Sequence, residues 1–311
     1  MLVDPSADRR SIKRMLAEGT RMRLIEVHNG MSTIIANSAR DPDTSLQFDG
    51  VWISSLTCMA SFGLPDLELA LVDNRLNIIE QVTRVSNKPV VVDGGTGGDA
   101  SSLRYLCGSL QRLGVGAVIL EDKAYPKRNS LVASNQELMA PEEFAEKIWT
   151  AKDAVGNGDL MIIGRIESLI SGEGVEMAAS RARSYVAAGA DGILIHSKAS
   201  TANEIVAFAE VVRGDLAGVP LFCVPTTYYG ETAGALFAAG FQGVIYANHQ
   251  MRAAHAAMER ACISILSNDC STSIERDITP TRRIFDDVGY TTEMQRLEDR
   301  ARERNRRATH V

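Results

Sequence analysis

The feature that most constrains this chain is a set of eight short apolar runs spread along its 311 residues, alternating with segments of helical periodicity. The runs lie at residues 23–27, 50–54, 89–93, 116–121, 160–165, 191–196, 220–225 and 242–247. Runs this short, bounded by Gly, Pro and polar residues, read as buried strands. Between them, segments such as 100–113, 141–154, 174–188 and 202–212 space their apolar residues as one helix each would. Strands that alternate with helices pair in parallel through crossovers, and eight such units close into a (β/α)8 barrel of the TIM type, an α/β fold. An open doubly wound sheet is the alternative. No GxGxxG follows the first run, so a dinucleotide site of the usual kind is unsupported.

Local chemistry agrees with these boundaries. Pro141 followed by Glu142 and Glu143 suits a first helical turn, and Gly189 and Gly240 follow alanine-rich helical patterns as stops. Residues 8–18 carry apolar residues at helical spacing and are expected to form a short N-terminal helix covering one end of the barrel. The barrel domain is placed at residues 1–270 and a C-terminal helical extension at 271–311. The Arg- and Glu-rich segment 295–307 reads either as a solvated helix or as an arm docking on a neighbouring subunit.

Composition narrows the function. A formal charge of -6 leaves no basic surplus to offset phosphates, which argues against nucleic acid or an anionic membrane as partner. No apolar segment approaches the ~20 residues needed to span a bilayer. The N-terminus is polar rather than a signal sequence, so a cytoplasmic location is expected. Five scattered cysteines without a CxxC pair are read as reduced packing residues.

Active sites on such a barrel gather at the C-terminal strand ends. Those ends are rich in polar residues here, among them Glu26, His28, Ser54, Ser55, Asp93, Glu121, Asp122, Arg165, Glu167, His196 and Asn248. Asp66, Asp93 and Glu121 fall on the loop after the second run and at the ends of the third and fourth. Hard oxygen ligands without Cys or His favour Mg2+, which keeps several waters and also binds a substrate oxygen. Arg165, Lys123, Lys127 and His196 bring positive charge to the same mouth, which implies a small anionic substrate. The hydroxyls and amides of Ser54, Ser55 and Leu56 can complete a cradle for it. A serine nucleophile is the rival use, but no His-Asp arrangement surrounds these serines in the sequence.

Glu121-Asp122-Lys123, followed after five residues by Asn129-Ser130, resembles the EDK(X)5NS signature of phosphoenolpyruvate mutases, in the isocitrate lyase / phosphoenolpyruvate mutase superfamily. The resemblance continues in family order through Glu26-Val-His-Asn-Gly-Met-Ser32, Trp52-Ile-Ser-Ser-Leu56, Gly63-Leu-Pro-Asp66, Arg165-Ile-Glu-Ser-Leu-Ile-Ser-Gly172 and Tyr246-Ala-Asn-His-Gln-Met-Arg252, over residues 10 to 270. It implies interconversion of phosphoenolpyruvate and 3-phosphonopyruvate, the P–C bond-forming step of phosphonate biosynthesis. Asp66 matches the nucleophile that carries the phosphoryl group. Asp93 matches the direct Mg2+ ligand and Glu121 an acid holding a metal-bound water. Ser54, Ser55 and Leu56 match the substrate cradle, Arg165 and His196 the residues gripping substrate. Lys127, Asn129 and Ser130 match a gate, within residues 122–140, that closes over the phosphoryl group. By the same resemblance the chain assembles as a homodimer or homotetramer.

The chain departs from the family pattern at one place. Where the family reads Asp-x-Asp-Thr-Gly-Tyr-Gly, this chain has Asp93-Gly-Gly-Thr-Gly-Gly-Asp99, so a metal-shell carboxylate is replaced by Gly95. Asp99 and Asp122 are the candidates to supply the missing charge. Two alternatives follow: phosphonopyruvate hydrolysis on the same scaffold, and a catalytically impaired binding or regulatory barrel. Hydrolases of this family usually carry Thr where Asn129 stands, which favours the mutase. A C–C lyase is disfavoured because its Lys-Lys-Cys-Gly-His segment is replaced by Lys123-Ala-Tyr-Pro-Lys127.

Overall fold

A computed structural model describes residues 9–69, 72–125, 127–132 and 136–308. Residue 8 of the expected N-terminal helix, Pro126 and residues 133–135 of the gate, and residues 309–311 of the tail lie outside this range. Eight parallel strands close in chain order into a barrel: β1 (Met22–Val27), β2 (Gly50–Ile53), β3 (Val90–Gly95), β4 (Ala117–Glu121), β5 (Met161–Ile166), β6 (Gly192–Ile195), β7 (Leu221–Cys223) and β8 (Gly243–Tyr246). The (β/α)8 expectation holds, and the open sheet is excluded because β8 pairs back onto β1 from Met22↔Gly243 to Ile25↔Tyr246.

The period of two along a strand sorts each side chain to one of two cores. One cluster fills the barrel interior, with Met22, Leu24, Trp52, Val91, Ile119, Ile163, Leu194, Phe222 and Ile245 among its members. The alternate residues, such as Ile25, Val51, Val92, Val118, Ile162 and Ile193, join the second cluster with the helices. Burying a large apolar side chain of this kind stabilises by roughly 1.5–3 kcal/mol relative to exposure. Helix α1 (Ile12–Ala17), capped by the Ser11 hydroxyl, sends Ile12 and Met15 into the inner cluster, so it closes the end of the barrel opposite the strand C-termini.

The crossover helices are α2 (Gly30–Ser38), α4 (Val72–Val85), α5 (Ala100–Arg112), α6 (Pro141–Val155), α8 (Gly174–Ala187), α9 (Asn203–Val212) and α10 (Ala233–Ala238). Two short helices, α3 (Ser55–Ser61) and α7 (Ser168–Ser171), follow β2 and β5 directly and help shape the mouth. Pro141 opens α6, and Gly189 and Gly240 end their helices with positive φ, as expected from sequence.

The chain divides into two compact units at Met251/Arg252, inside α11 (His249–Asn268), whereas the sequence placed the boundary after residue 270. Helix α11 buries none of its residues. In the second unit α12 (Thr281–Asp287) packs on α13 (Tyr290–Ala308), with the Phe285 and Tyr290 rings 5.3 Å apart. That unit exposes Ile263, Leu266, Phe285, Val288, Met294 and Leu297. Among the described residues no helix is long and apolar enough to cross a membrane. Cys58, Cys107 and Cys223 are buried free thiols, whereas Cys262 and Cys270 are exposed.

Candidate active site

The strand alternation that fills the barrel interior also builds its mouth. Asp93 stands two residues beyond Val91, Glu121 two beyond Ile119, Arg165 two beyond Ile163 and His196 two beyond Leu194, each of those predecessors being an inner-core residue. Their side chains therefore share the inward direction one layer higher. The β4–β5 register sets Glu121 directly beside Arg165. Asp93 is carried on an irregular strand end, where the β3–β4 register shifts between Asp93 and Gly95. Gly94 allows that approach: a Cβ there would lie 2.7 Å from Leu120 Cδ2 and 3.0 Å from the Ile119 carbonyl.

Buried charges compensate one another in this layer. Arg165 Nη1 lies 3.8 Å from Glu121 Oε2 and 3.9 Å from Asp93 Oδ2, while its Nε donates to Glu167 Oε1. Lys127 Nζ lies 3.6 Å from Glu121 Oε1 and 3.4 Å from Asp66 Oδ1. Burial acts to raise the pKa of Asp93, but Lys127, Arg165, Arg75 and the Gly95 N–H outweigh it and hold the carboxyl below its usual value. For Glu121 burial prevails over the same two cations, and its pKa is raised. Burial also acts to lower the Lys127 pKa, yet Glu121, Asp93 and Asp66 hold it above the usual lysine range, so the ammonium stays charged. Burial and Arg165 depress His196, whose Nδ1 lies 2.9 Å from Glu167 Oε1 and 2.8 Å from Arg165 Nη2.

Asp66 comes from the loop after α3 and is engaged on both carboxylate oxygens. Ser55 Oγ donates to Oδ1 at 2.9 Å, and Asn129 Nδ2 donates to Oδ2 at 2.9 Å. Lys127 Nζ donates to Ser55 Oγ, and the Ser55 amide donates to Asp93 Oδ2 at 3.3 Å. Lys127, Asn129, Ser130 and Leu131, of the segment that the family resemblance reads as a gate, thus line the mouth. The stem of the gate is an antiparallel bridge between Lys123 and Leu138, with Ala124 N–H donating to the Glu137 carbonyl at 2.9 Å. Lys123 Nζ donates to the Arg128 carbonyl at 2.7 Å and to Ser130 Oγ, which donates to Glu167 Oε2 at 2.8 Å. Lys123, expected to face the mouth, thus holds the gate instead.

Asp66, Asp93, Lys127, Asn129, Ser130, Ser54, Ser55, Leu56, Arg165 and His196 line one cavity of about 60 Å3, joined by Trp52, Leu131, Val224, Thr226, Ala247 and Asn248. Glu121 lies beneath it, 1 % exposed, and among the described residues neither of its carboxylate oxygens has a hydrogen-bond partner. Two buried carboxylates with accepting capacity to spare suit Mg2+, which binds few protein oxygens and retains water. Among the described residues no group of three or more His, Cys, Asp and Glu side chains is arranged around one metal position. Asp93 and Glu121, buried and with acceptors to spare, are the carboxylates that could hold such an ion.

Neither candidate for the charge missing at Gly95 faces this pair. Asp99 is the N-cap of α5, accepting from the Ser102 amide at 2.8 Å. Asp122 points to the outer side, where Tyr185 Oη donates at 2.7 Å, Arg181 lies at 3.4 Å and the Glu167 amide donates at 2.9 Å; burial pushes its pKa up to about 7. Strand alternation explains the miss, because a residue next to inward-facing Glu121 must face out. The space above Gly95 belongs to Glu68, which carried no signal in the sequence beyond being a second acid in the Asp66 loop. Arg75, on α4, was also missed; it is buried and its guanidinium donates to the Asp93 carbonyl.

The sequence model of the phosphoenolpyruvate phosphomutase family matches residues 12–266. A phosphoenolpyruvate phosphomutase from Streptomyces hygroscopicus is 36% identical over 265 residues, covering 85% of this chain and 82% of that protein. The crystal structure of a phosphoenolpyruvate phosphomutase from Streptomyces platensis subsp. rosaceus superposes with a TM-score of 0.87 at 35% identity, covering 95% of this chain and 98% of that one. A phosphonopyruvate hydrolase crystallised with oxalate and Mg2+ superposes with a TM-score of 0.83 at 29% identity, covering 96% and 99%. The barrel, its inward layer of acids and cations, and these matches together show that this chain belongs to the phosphoenolpyruvate phosphomutase family and is an enzyme of the phosphoenolpyruvate mutase / isocitrate lyase superfamily.

Proposed function

We propose that the chain interconverts phosphoenolpyruvate and 3-phosphonopyruvate through an aspartyl phosphate on Asp66. The observation that carries this reading is the Asp66 carboxylate, held between Ser55 and Asn129 under the gate, with Lys127 at 3.4 Å. One Asp66 oxygen attacks phosphorus, the P–O bond to C2 breaks, and its electron pair stays on the pyruvate enolate. C3 of the enolate then attacks phosphorus, the P–C bond forms and Asp66 leaves as a carboxylate. Splitting the transfer this way avoids a direct shift from oxygen to C3 through a strained four-membered ring, in which attack and departure could not lie in line at phosphorus.

Asn129 and Ser55 orient the nucleophile, and charged Lys127 offsets the negative charge of the phosphoryl group. Arg165 presents a guanidinium to the substrate carboxylate or enolate oxygen, fixed by Glu167 behind it. The Lys123–Ser130–Glu167 chain keeps the gate over the mouth and excludes water from the acyl phosphate. Mg2+ held by Asp93 and Glu121 would stabilise the negative charge of the enolate and carboxylate oxygens.

Phosphorus NMR of the protein with Mg2+ and phosphonopyruvate tests this directly. Phosphoenolpyruvate is the expected product, inorganic phosphate would instead identify a hydrolase, and an unchanged spectrum over hours would leave a barrel without either activity.

A further inference from the structure

The Asp66 loop carries a second carboxylate whose position is unusual. Among the described residues, the side-chain hydrogen bonds joining residues 64–69 to the rest of the chain come from Asp66 and Glu68. Asp66 is tied to Ser55 and to the gate. Glu68 is tied elsewhere: Oε1 accepts from the Thr96 amide at 2.8 Å and Oε2 from the Thr96 hydroxyl at 2.9 Å. Thr96 is itself held from the other side, because Lys147 Nζ donates to its carbonyl at 2.6 Å.

Two backbone facts show that this contact is built rather than incidental. Glu68 sits at φ 55, in the left-handed region that disfavours an L-residue carrying a Cβ. Such a conformation persists only where surrounding contacts hold it, and the paired bonds to Thr96 do so. On the facing turn, Gly95 has φ 61, and a Cβ there would lie 1.9 Å from Glu68 Oε1. The carboxylate of Glu68 thus occupies the place that any side chain at 95 would need.

We propose that Glu68 is a positioning residue, a latch that fastens the Asp66 loop to the β3 turn in the space left by Gly95. Among the described residues, Lys127 and Asn129 are the gate residues that reach Asp66, while Glu68 is held by Thr96 outside the gate, so the latch fastens the loop at a second point. Glu68 and Gly95 then form one unit. An acid added at 95 would evict Glu68 rather than simply add a ligand. Its consequence for catalysis rests on the reading of Asp66 as nucleophile, but the latch itself does not.

Hydrogen exchange on the metal-free protein, with turnover measured in parallel, separates the two. Glu68→Ala is expected to raise exchange of the amides at 66–69 at least tenfold and to lower kcat ~10- to 100-fold with KM within about threefold, the effect of a displaced nucleophile. Glu68→Gln, which can still accept from the Thr96 amide, should keep both near wild type. Gly95→Ala should raise exchange at 66–69 because its methyl displaces Glu68, beyond any local effect of positive φ at 94–98. Unchanged exchange at 66–69 in Glu68→Ala, or a Gly95→Ala effect confined to 94–98, overturns the latch. A Gln variant as loose as the Ala variant does so too. If the wild-type protein turns over no phosphonopyruvate, the functional reading falls while the exchange result still decides the latch.

Discussion

The mouth of the barrel is made of two kinds of structure that meet at Asp66. Asp93, Glu121 and Arg165 sit on strands whose neighbours hydrogen-bond on both sides, and they are 4 %, 1 % and 12 % exposed by residue or side chain. Asp66, Lys127, Asn129 and Ser130 sit on loops, and side-chain bonds to Ser55, Asp66, Lys123 and Glu167 hold them there. The strand layer is rigid because backbone ladders and core packing over-determine it. The loops have the few cross-links a segment needs if it is to open and close around a substrate. A substitution in the first region should therefore act strongly on folding as well as chemistry, and one in the second chiefly on chemistry.

The largest effect tests the strand layer. Arg165→Met leaves Glu121, Asp93 and Glu167 facing one another without their shared cation, and it should cost about 3–5 kcal/mol of unfolding free energy as well as turnover. A denaturation midpoint equal to wild type would show that the acids neutralise without Arg165. Next comes Asp66→Ala. It should remove turnover by roughly 10^4-fold or more, while stability, read by the same denaturation, falls by no more than about 1–2 kcal/mol. Retained activity would exclude the aspartyl phosphate.

Asn129→Ala removes the donor on Asp66 Oδ2 and should lower kcat roughly 10^2-fold, with a near-wild-type melting curve. A large loss of stability there would erase the contrast between strands and loops. As the smallest effect, Arg84→Ala breaks an exposed 2.8 Å ion pair to Glu80, and it should change stability by less than about 0.5 kcal/mol. The second unit permits a separate check. Its exposed Phe285, Val288, Met294 and Leu297 suit a subunit-contacting surface, so light scattering should give the mass of a dimer or tetramer. A monomer would end that reading.

Legibility from sequence followed the same division. The eight strands were readable because short apolar runs recur between helical segments, and strand ends differ by only a few residues from the expected ones, as at β3, which runs to Gly95 rather than Asp93. The inward acids and cations were readable because they continue the strand period. Lys123 was assigned to the mouth but turns to the gate, and Asp122 was a candidate charge but faces Tyr185 and Arg181. Asp122 obeys the strand period, facing out beside inward Glu121, whereas Lys123 lies where the strand gives way to a loop and the period no longer governs direction.

By itself, then, the amino-acid order determined the barrel and the direction of Asp93, Glu121, Arg165 and His196, since these depend on local periodicity and nearest-neighbour pairing. It also raised the question at Gly95 that tertiary structure answered. Only the folded chain brings Glu68 over from a different loop into the space above that glycine, with its carboxylate on Thr96. The meeting joins segments distant in sequence and is governed by excluded volume and hydrogen-bond geometry, neither of which leaves a pattern along the chain.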